Sequence, residues 1–308
     1  MSAAANRSVP RVSIGMPVHN GAARMRRAVD SLLAQDFKDF ELVISDNAST
    51  DGTWEICREY AARDPRVRIS RNAENQGIMS NFKKVLALSE GEYFMWAAID
   101  DLWLPSFLTR LVADLDGHPR AGVTLCRFDV VDDEGRPMFT FGLDGRSDPN
   151  RLGRVGTALL FYSPLKVNYY FYGLFRRALL EAHIGEYAPI VAVERWFLAK
   201  LALVAPFRYV DEVLHVRTHS RVKFANRYPD DPLSRVFVAQ SASPVTLAPF
   251  TSVARFALTS PDVAPGARFG VVLLFFGYAG RQLRLIRLRL SRAGRRVVNR
   301  FLTPKTAP

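Results

Sequence analysis

The amino-acid sequence predicts an α/β fold in which a mostly parallel sheet carries helices on both faces. In the first hundred residues, short β-rich apolar stretches alternate with segments whose apolar side chains recur every three or four residues. Each apolar stretch ends in polar or turn-forming residues. Hydrophobic residues make up 48% and charged residues 23% of the 308-residue chain, which is the balance of a folded globular protein.

The first two strands and the helix between them follow from local patterns. Residues 11–18 (RVSIGMPV) form a β-rich stretch that stops at the turn cluster HNG. Residues 22–34 carry apolar side chains at helical spacing, which predicts a helix with one buried face. Residues 40–45 (FELVIS) predict the second strand, which ends in DNASTDG at 46–52 before another helix.

The rest of the first half continues the alternation. We predict a strand at 67–70, a loop at 72–77, a helix at 78–89 and a strand at 92–98 that runs into Asp100 and Asp101. In parallel sheets, ligands lie beyond the carboxyl ends of the strands. Here these ends carry Asp, Asn, Ser or His, so we expect the functional site at this edge.

The second half alternates less regularly. In chain order we predict a strand at 123–131, a polar loop at 144–156, an aromatic-rich segment at 159–175, a helix at 193–204 and a strand at 209–216. Residues 226–265 combine several prolines with mixed polarity, and we predict a loosely packed connection there.

The two cysteines, Cys57 and Cys126, lie far apart and without metal-ligand spacing, so neither a disulfide framework nor a zinc site is indicated. The net charge of +12 is concentrated near the end of the chain. No acidic residue follows Asp262, whereas ten Lys and Arg side chains do, which leaves about +2 for everything before. A basic tail on a nearly neutral body argues against general nucleic-acid binding.

The basic tail has the pattern of an amphipathic helix. From Arg281 onward, apolar side chains recur every three or four residues and arginines largely occupy the other faces. The apolar run at 270–280 has 11 residues, which is short of the roughly 20 that span a bilayer, and residues 1–11 lack the apolar core of a secretory signal. We expect no transmembrane segment and a cytoplasmic protein that lies peripherally on the inner face of the cell membrane, with the tail on anionic lipid. The tail could instead pack on protein or bind nucleic acid.

Several strand-end residues have the right chemistry for a nucleotide and a metal. Asp46 can accept a hydrogen bond from a nucleoside, and Asp100 with Asp101 is a pair of hard oxygen ligands suited to Mg²⁺ or Mn²⁺. A plainer explanation also exists for each. Asp46 and Asp51 could form a turn and cap the next helix, and the Asp100–Asp101 pair could cap a helix that starts near Pro105.

The ordered set of motifs is more specific than any one of them. PVHN at 17–20, DNASTDGT at 46–53, NQG at 75–77 and GEYFMWAAIDD at 91–101 together resemble glycosyltransferase family 2. The resemblance is strong over residues 11–115 and looser over 170–220. It implies a Rossmann-like GT-A fold, a nucleotide-sugar donor, a divalent cation (Mg²⁺ or Mn²⁺) and, usually, inversion at the anomeric carbon.

The resemblance also implies a domain organisation and a set of donor-binding residues. We expect a catalytic domain at 1–225, with a nucleotide-sugar half at 11–115 and an acceptor half at 116–225, then a connection at 226–265 and the tail at 266–308. Pro17, His19 and Asp46 resemble the nucleoside pocket, with His19 in place of the usual aromatic residue. Further residues resemble the loops that border the nucleotide and the sugar: Ser49, Asp51, Asn75, Gly77 and Asp100.

The same resemblance suggests a metal site and a general base. Asp100 and Asp101 match the end of the family's metal motif, although Ala98 stands where many members have an earlier carboxylate, and His219 matches a residue that approaches the metal. Glu194, in the segment VERWFLAKLAL, resembles the acidic residue at the start of the acceptor-side helix. Its plainer reading is a glutamate that favours the helix dipole.

The implied function is transfer of a sugar from a nucleoside diphosphate sugar to an acceptor hydroxyl. A glycan or lipid-linked acceptor in cell-surface polysaccharide or glycolipid synthesis fits the family, and a nucleic-acid partner does not. Two alternatives stay open. One is a sugar nucleotidyltransferase. The other is an inactive relative that acts as a binding or assembly protein, an alternative that Ala98 and Arg195 would favour.

Overall fold

The computed structural model describes residues 9–143, 145–161, 167–187, 193–219 and 248–271. The strands in these residues are β1 (Val12–Val18), β2 (Phe40–Asp46), β3 (Val67–Arg71), β4 (Tyr93–Trp96), β5 (Leu102–Trp103), β6 (Val123–Val131), β7 (Pro137–Phe141), β8 (Leu174–Arg176) and β9 (Phe207–Thr218). The α-helices are α1 (Met25–Leu33), α2 (Thr53–Arg63), α3 (Ile78–Ala87), α4 (Phe107–Gly117), α5 (Pro149–Leu160), α6 (Arg177–His183), α7 (Val193–Val204) and α8 (Ala248–Thr259). Two 3₁₀ helices complete the set, η1 (Val167–Tyr172) and η2 (Ile184–Glu186).

The described strands form one sheet in the order β3-β2-β1-β4-β8-β6-β9-β5, and β7 pairs with β6. The long ladders are parallel: β1 with β2, β2 with β3, β1 with β4 and β6 with β9. The short strands β5, β7 and β8 pair in the antiparallel sense. The predicted α/β class with a mostly parallel sheet is therefore confirmed.

Helices cover both faces of the sheet, as the alternation of side chains along β1 shows. Ile14 and its neighbours two residues away are fully buried in a core that also contains side chains of α1, α2 and α4. Gly15 faces the opposite way, where an added Cβ would lie 2.6 Å from Phe94 and 2.8 Å from Val85 of α3. Only a glycine permits so close an approach of α3 to the sheet.

Two parts of the second half differ from the sequence prediction. The predicted polar loop at 144–156 contains the start of α5, where Asp148 caps the helix by accepting from the Asn150 N–H at 2.9 Å and Pro149 occupies the first turn. Gly153, with φ of 62°, interrupts the helix, so the apolar side chains of this segment do not follow one continuous helical spacing in the sequence. The predicted connection at 226–265 contains α8, in which Val253 is buried.

The described part of the chain ends inside the predicted basic tail. Contacts between Cα atoms divide the chain into units 1–253 and 254–308. In the second unit the structure describes the end of α8 and helical residues 265–271. The predicted amphipathic helix from Arg281 onward lies outside the described residues. Among the helices described, none is long and apolar enough to cross a membrane.

Candidate active site

The loops after β1, β2 and β3 meet through His19. Its Nδ1 lies 2.9 Å from the carbonyl oxygen of Asn47, which can only accept, so Nδ1 carries the hydrogen. Its Nε2 is then the acceptor and faces the amide nitrogen of Asn75 at 3.3 Å. The imidazole is thus fixed in one orientation by the residues that follow β2 and β3, as a stacking surface requires.

Asn47 is the buried centre of this loop cluster. Its side-chain nitrogen donates to Asn75 Oδ1 at 2.7 Å and to the Gly77 carbonyl at 3.3 Å. Its oxygen accepts from the Asn72 amide at 2.7 Å and from the Gln76 N–H at 3.0 Å. Both ends of a side chain that is 2% exposed are therefore satisfied. The predicted site residues Asn75 and Gly77 are held in place by an asparagine that sequence reasoning did not single out.

Asp46 lies at the end of β2, fully buried. Its Oδ1 accepts from the Ser49 N–H at 3.1 Å, and its Oδ2 lies 3.1 Å from Arg71 Nε. Oδ2 is buried and lacks a hydrogen bond with good geometry, so the ion pair leaves this acceptor incompletely satisfied. The Arg71 guanidinium also lies over the Trp54 ring, 5.4 Å from its centroid. This places a cation and an indole ring beside the predicted nucleoside residue.

Asp51 joins the loop after β2 to the loop after β1. Its carboxylate accepts from the Ala22 N–H at 3.1 Å and from the Thr53 N–H at 3.1 Å. Burial would raise the pKa of Asp51, but the hydrogen bond from the Thr53 hydroxyl, together with those from the backbone N–H groups, outweighs it, so the pKa is lowered. Ser49 joins the same two loops, because its hydroxyl accepts from the Asn20 N–H at 2.9 Å. The predicted residues Ser49 and Asp51 therefore shape the site wall.

The adjacent carboxylates Asp100 and Asp101 have different surroundings. The Asp100 side chain is 17% exposed, and its Oδ2 lies 3.7 Å from Arg24 Nη1. Asp101 is 1% exposed and accepts from the Thr218 N–H at 2.9 Å, while its Oδ2 lies 3.1 Å from His215 Nε2. Both oxygens of Asp101 are thus engaged by the end of β9, whereas Asp100 stays at the surface of the site.

The electrostatics of Asp101 agree with this geometry. Burial alone would raise its pKa, but the charge of Arg217 and the hydrogen bonds from His215 and Thr218 lower it. Arg217 Nη1 lies 3.9 Å from Asp101 Oδ2. The His215 ring stacks on Trp103 at 5.3 Å between centroids. Asp101 is therefore a buried anion that joins the segment after β4 to β9.

Glu194 lies in the first turn of α7. Burial raises the pKa of Glu194, and its own backbone N–H and the charge of Arg217 act in the opposite direction. The Arg217 guanidinium lies 4.9 Å from the centroid of the Tyr172 ring. Burial also raises the pKa of Tyr172, whose phenol experiences the charges of Arg217, Asp101, Glu194 and Asp100. The predicted base Glu194 and the predicted metal ligands Asp100 and Asp101 therefore all contribute to the electrostatic environment of one tyrosine.

The other predicted residues are also at this end of the sheet. Pro17 is next to last in β1 and is paired with Ser45 of β2. His219 directly follows β9, where its backbone N–H donates to the Val131 carbonyl at 2.7 Å. Across the described ranges, no group of three or more His, Cys, Asp or Glu side chains is arranged to hold a metal. The metal roles of Asp100, Asp101 and His219 stay predictions.

Besides Asn47, four residues near the site were not assigned a role from the sequence: Arg24, Tyr172, His215 and Arg217. One signal was present, because alternation along a strand places His215 and Arg217 on one face. Arg24 and Tyr172 have no comparable signal, since their neighbours are far away in sequence.

The region that carries the loops after β1, β2 and β3 matches a known protein family. The family described as Glycosyl transferase family 2 matches residues 13–184. This match covers more than half of the 308 residues, so the chain belongs to glycosyltransferase family 2 and to its class of transferases.

Individual relatives match shorter stretches. WcaA of Escherichia coli (strain K12), named as a colanic acid biosynthesis glycosyl transferase, is 35% identical over 106 residues, which are 34% of this chain and 37% of WcaA. The chain spans less than half the length of the first curated relatives that it matches.

Solved structures share the fold. S. aureus TarS 1–349 in complex with UDP-GlcNAc matches with a TM-score of 0.63 and 19% identity, over 86% of this chain and 71% of that one. The mannosyltransferase PcManGT from Pyrobaculum calidifontis, in complex with GDP-Man and Mn²⁺, matches with a TM-score of 0.50 and 18% identity, over 93% and 81%. The expected GT-A fold is confirmed.

Proposed function

We propose that this chain transfers a sugar from a nucleoside diphosphate sugar to an acceptor hydroxyl, with inversion at the anomeric carbon. Two observations carry the proposal: the loops after β1, β2 and β3 meet around His19, and the charges of Asp100, Asp101 and Glu194 all act on Tyr172. The family supports transferase chemistry. TarS with UDP-GlcNAc and PcManGT with GDP-Man support a nucleotide-sugar donor.

The nucleoside would lie between the loops after β1 and β2. Pro17, His19 and Asp46 would form its pocket, with the fixed imidazole of His19 stacking on the base. Asp46 Oδ2 is a buried acceptor without a good hydrogen bond, and a nucleoside N–H or hydroxyl would supply the missing donor. The residues that border the nucleotide and the sugar would be Ser49, Asp51, Asn75 and Gly77.

A divalent cation fits the site when the donor supplies part of its ligands. Mg²⁺ and similar ions are commonly held by one or two carboxylates together with substrate phosphates, so a cage of three protein ligands is not required. Asp100 would be the principal ligand because it is the more exposed carboxylate of the pair. Asp101, next to Asp100 in the segment after β4, and His219, directly after β9, would hold or flank the ion. When bound, the cation would neutralise charge on the departing diphosphate.

Glu194 would act as the general base that takes the proton of the acceptor hydroxyl. A base works best when its pKa is near the working pH, and burial shifts the pKa of Glu194 in that direction. Its own backbone N–H and the charge of Arg217 oppose this shift, because both favour the ionised form that accepts a proton. Direct attack by the activated hydroxyl would invert the anomeric centre, which NMR of the product linkage would verify.

The acceptor would be a glycan or a lipid-linked saccharide in cell-surface polysaccharide or glycolipid synthesis. WcaA supports this class, because its name refers to colanic acid biosynthesis. The basic segment 266–308 would bring the enzyme to anionic lipid on the inner face of the membrane. Deletion of residues 266–308 should abolish sedimentation with anionic vesicles; continued sedimentation would contradict this role.

The donor site is tested by thermal shift with a panel of nucleoside diphosphates and nucleotide sugars, with and without Mn²⁺. We expect stabilisation by one nucleotide, increased by Mn²⁺, and loss of the Mn²⁺ effect in Asp100→Ala. Asp39→Ala is the matched control, because Asp39 is an exposed aspartate before β2, at the opposite end of the strand. No stabilisation by any nucleotide would refute the donor site and favour an inactive binding protein.

A further inference from the structure

Arg24 lies at the mouth of the site, immediately before α1. Its Nη1 is 3.7 Å from Asp100 Oδ2, which is within ion-pair range but longer than a hydrogen bond. The Arg24 side chain is 45% exposed. Its guanidinium therefore stands beside the proposed metal ligand and keeps N–H donors accessible from solvent.

The charge balance near Asp100 is unusual for a site that depends on a metal alone. Ala98 supplies no carboxylate two residues before Asp100, and both oxygens of Asp101 are engaged by hydrogen bonds from β9. The first turn of α1 contains no acidic residue that could compete for Arg24. Compared with a site of several carboxylates, this one offers fewer ligands for a cation and one additional positive charge.

Arginine is well suited to a diphosphate. Its planar guanidinium presents a rigid set of donors that match phosphate oxygens, and it stays charged at every working pH. When the donor brings its diphosphate next to Asp100, the negative charges repel one another unless a cation lies between them. Arg24 is a cation that already lies beside Asp100, and their 3.7 Å contact is longer than a hydrogen bond, so the guanidinium can exchange it for a phosphate oxygen.

We propose that Arg24 binds the diphosphate of the donor directly and shares its neutralisation with the divalent cation. This inference rests on the proposed donor site. The consequence is that a nucleoside diphosphate binds measurably without metal, and that Arg24 carries most of this metal-free affinity. An ordinary exposed ion pair with Asp100 would have no such consequence, because its removal would leave phosphate binding unchanged.

The test is calorimetric titration of the full-length protein with UDP and GDP, in EDTA and in Mn²⁺, with uridine and guanosine as phosphate-free probes. Arg24→Ala should weaken the metal-free affinity for the better diphosphate by roughly ten- to a hundredfold, the range for a hydrogen bond to a charged group. The affinity for the corresponding nucleoside should not change. In Mn²⁺ the loss should be smaller, because the cation compensates.

Arg27→Ala is the matched control, since it removes one exposed positive charge from the first turn of the same helix. It should change the diphosphate affinity by less than about twofold, as expected for a screened charge. Equal metal-free affinity in wild type and Arg24→Ala overturns the inference, as does a wild type that binds UDP and GDP only with Mn²⁺. In both of these outcomes the donor site itself stands. A wild type that binds neither nucleotide under either condition, and that no member of the nucleotide panel stabilises, refutes the donor site as well.

Discussion

Replacement of Asp101 by alanine is expected to destabilise the fold. Its carboxylate is 1% exposed and accepts hydrogen bonds from the Thr218 N–H and from His215, with Arg217 at 3.9 Å. Removal of one partner from a buried charged network leaves the others desolvated and unpaired, at a cost of about 3–5 kcal/mol. For a domain of this size, that corresponds to a decrease in Tm of about 6–20 °C.

The pH dependence of stability provides a second measurement of the same contact. The pKa of Asp101 in the folded protein is below its ordinary value of 3.8, so its ionisation stabilises the fold above that pH. This contribution is lost as the pH falls through the lowered pKa. Asp101→Asn retains the shape without the charge, so we expect it to reduce stability at pH 7 and to show a weaker decline in acid than wild type.

The assay is thermal unfolding followed by circular dichroism, combined with nucleotide titration of each variant. Asp100→Ala is the comparison, because its partly exposed carboxylate should contribute little to stability and much to Mn²⁺-dependent nucleotide binding. If Asp101→Ala unfolds at the wild-type temperature and loses only the Mn²⁺ effect, the carboxylate acts as a metal ligand and the structural assignment is wrong.

Three further results are expected from other parts of the molecule. Glu194→Gln should lower kcat by roughly 10²–10⁴-fold at unchanged nucleotide affinity. In the wild type, kcat/KM should fall with decreasing pH through a pKa above 4.5, because burial raises the pKa of Glu194. Near-normal turnover of Glu194→Gln would exclude the base role. Glu41→Ala should lower the free energy of unfolding by about 3–5 kcal/mol and leave the nucleotide affinity of the folded protein unchanged. The reason is that Glu41 is a buried anion near the start of β2, bound to Arg68 at 2.6 Å. A melting temperature equal to that of the wild type would contradict this. Gly15→Ala should lower the free energy of unfolding by about 1–3 kcal/mol, because its added Cβ would clash with Phe94 and with Val85 of α3. Gly117→Ala, with nothing within 4 Å of its added Cβ, should be neutral or slightly stabilising. Equal unfolding free energies in the two variants would refute the packing argument.

The sequence predicted most of the sheet because its strands carry their own signals. The strand at 123–131 and the helix at 193–204 have the predicted bounds, and the strands expected at 11–18 and 40–45 differ from the observed ones by one residue. Runs of buried β-branched residues and polar strand ends are local features, so no knowledge of the partner strands is needed. Helix α5 was missed because Gly153 breaks its period with a positive φ.

The site was predicted less completely because its contacts join distant segments. The motifs identified Asn75 and Gly77, but not that Asn47 holds both of them through its side chain. Residue type gives the donors and acceptors of an amide, and only the fold determines which partner each one meets. The same holds for Tyr172, whose phenol is influenced by charges from the segment after β4 and from the start of α7, more than twenty positions away in either direction.

The different environments of Asp100 and Asp101 link the two halves of the domain. Strand β5, which begins directly after Asp101, pairs with the end of β9, and Asp101 binds that same end through Thr218. Asp101 Oδ2 also lies 3.9 Å from Nη1 of Arg217, which lies over Tyr172 and acts on the pKa of Glu194. The loops after β1, β2 and β3 are shaped by contacts within the first half of the chain, whereas Glu194, the proposed base, is influenced by a charge on β9. A single buried carboxylate, Asp101, therefore connects the segment that carries the partly exposed Asp100 with the strand whose arginine acts on Glu194.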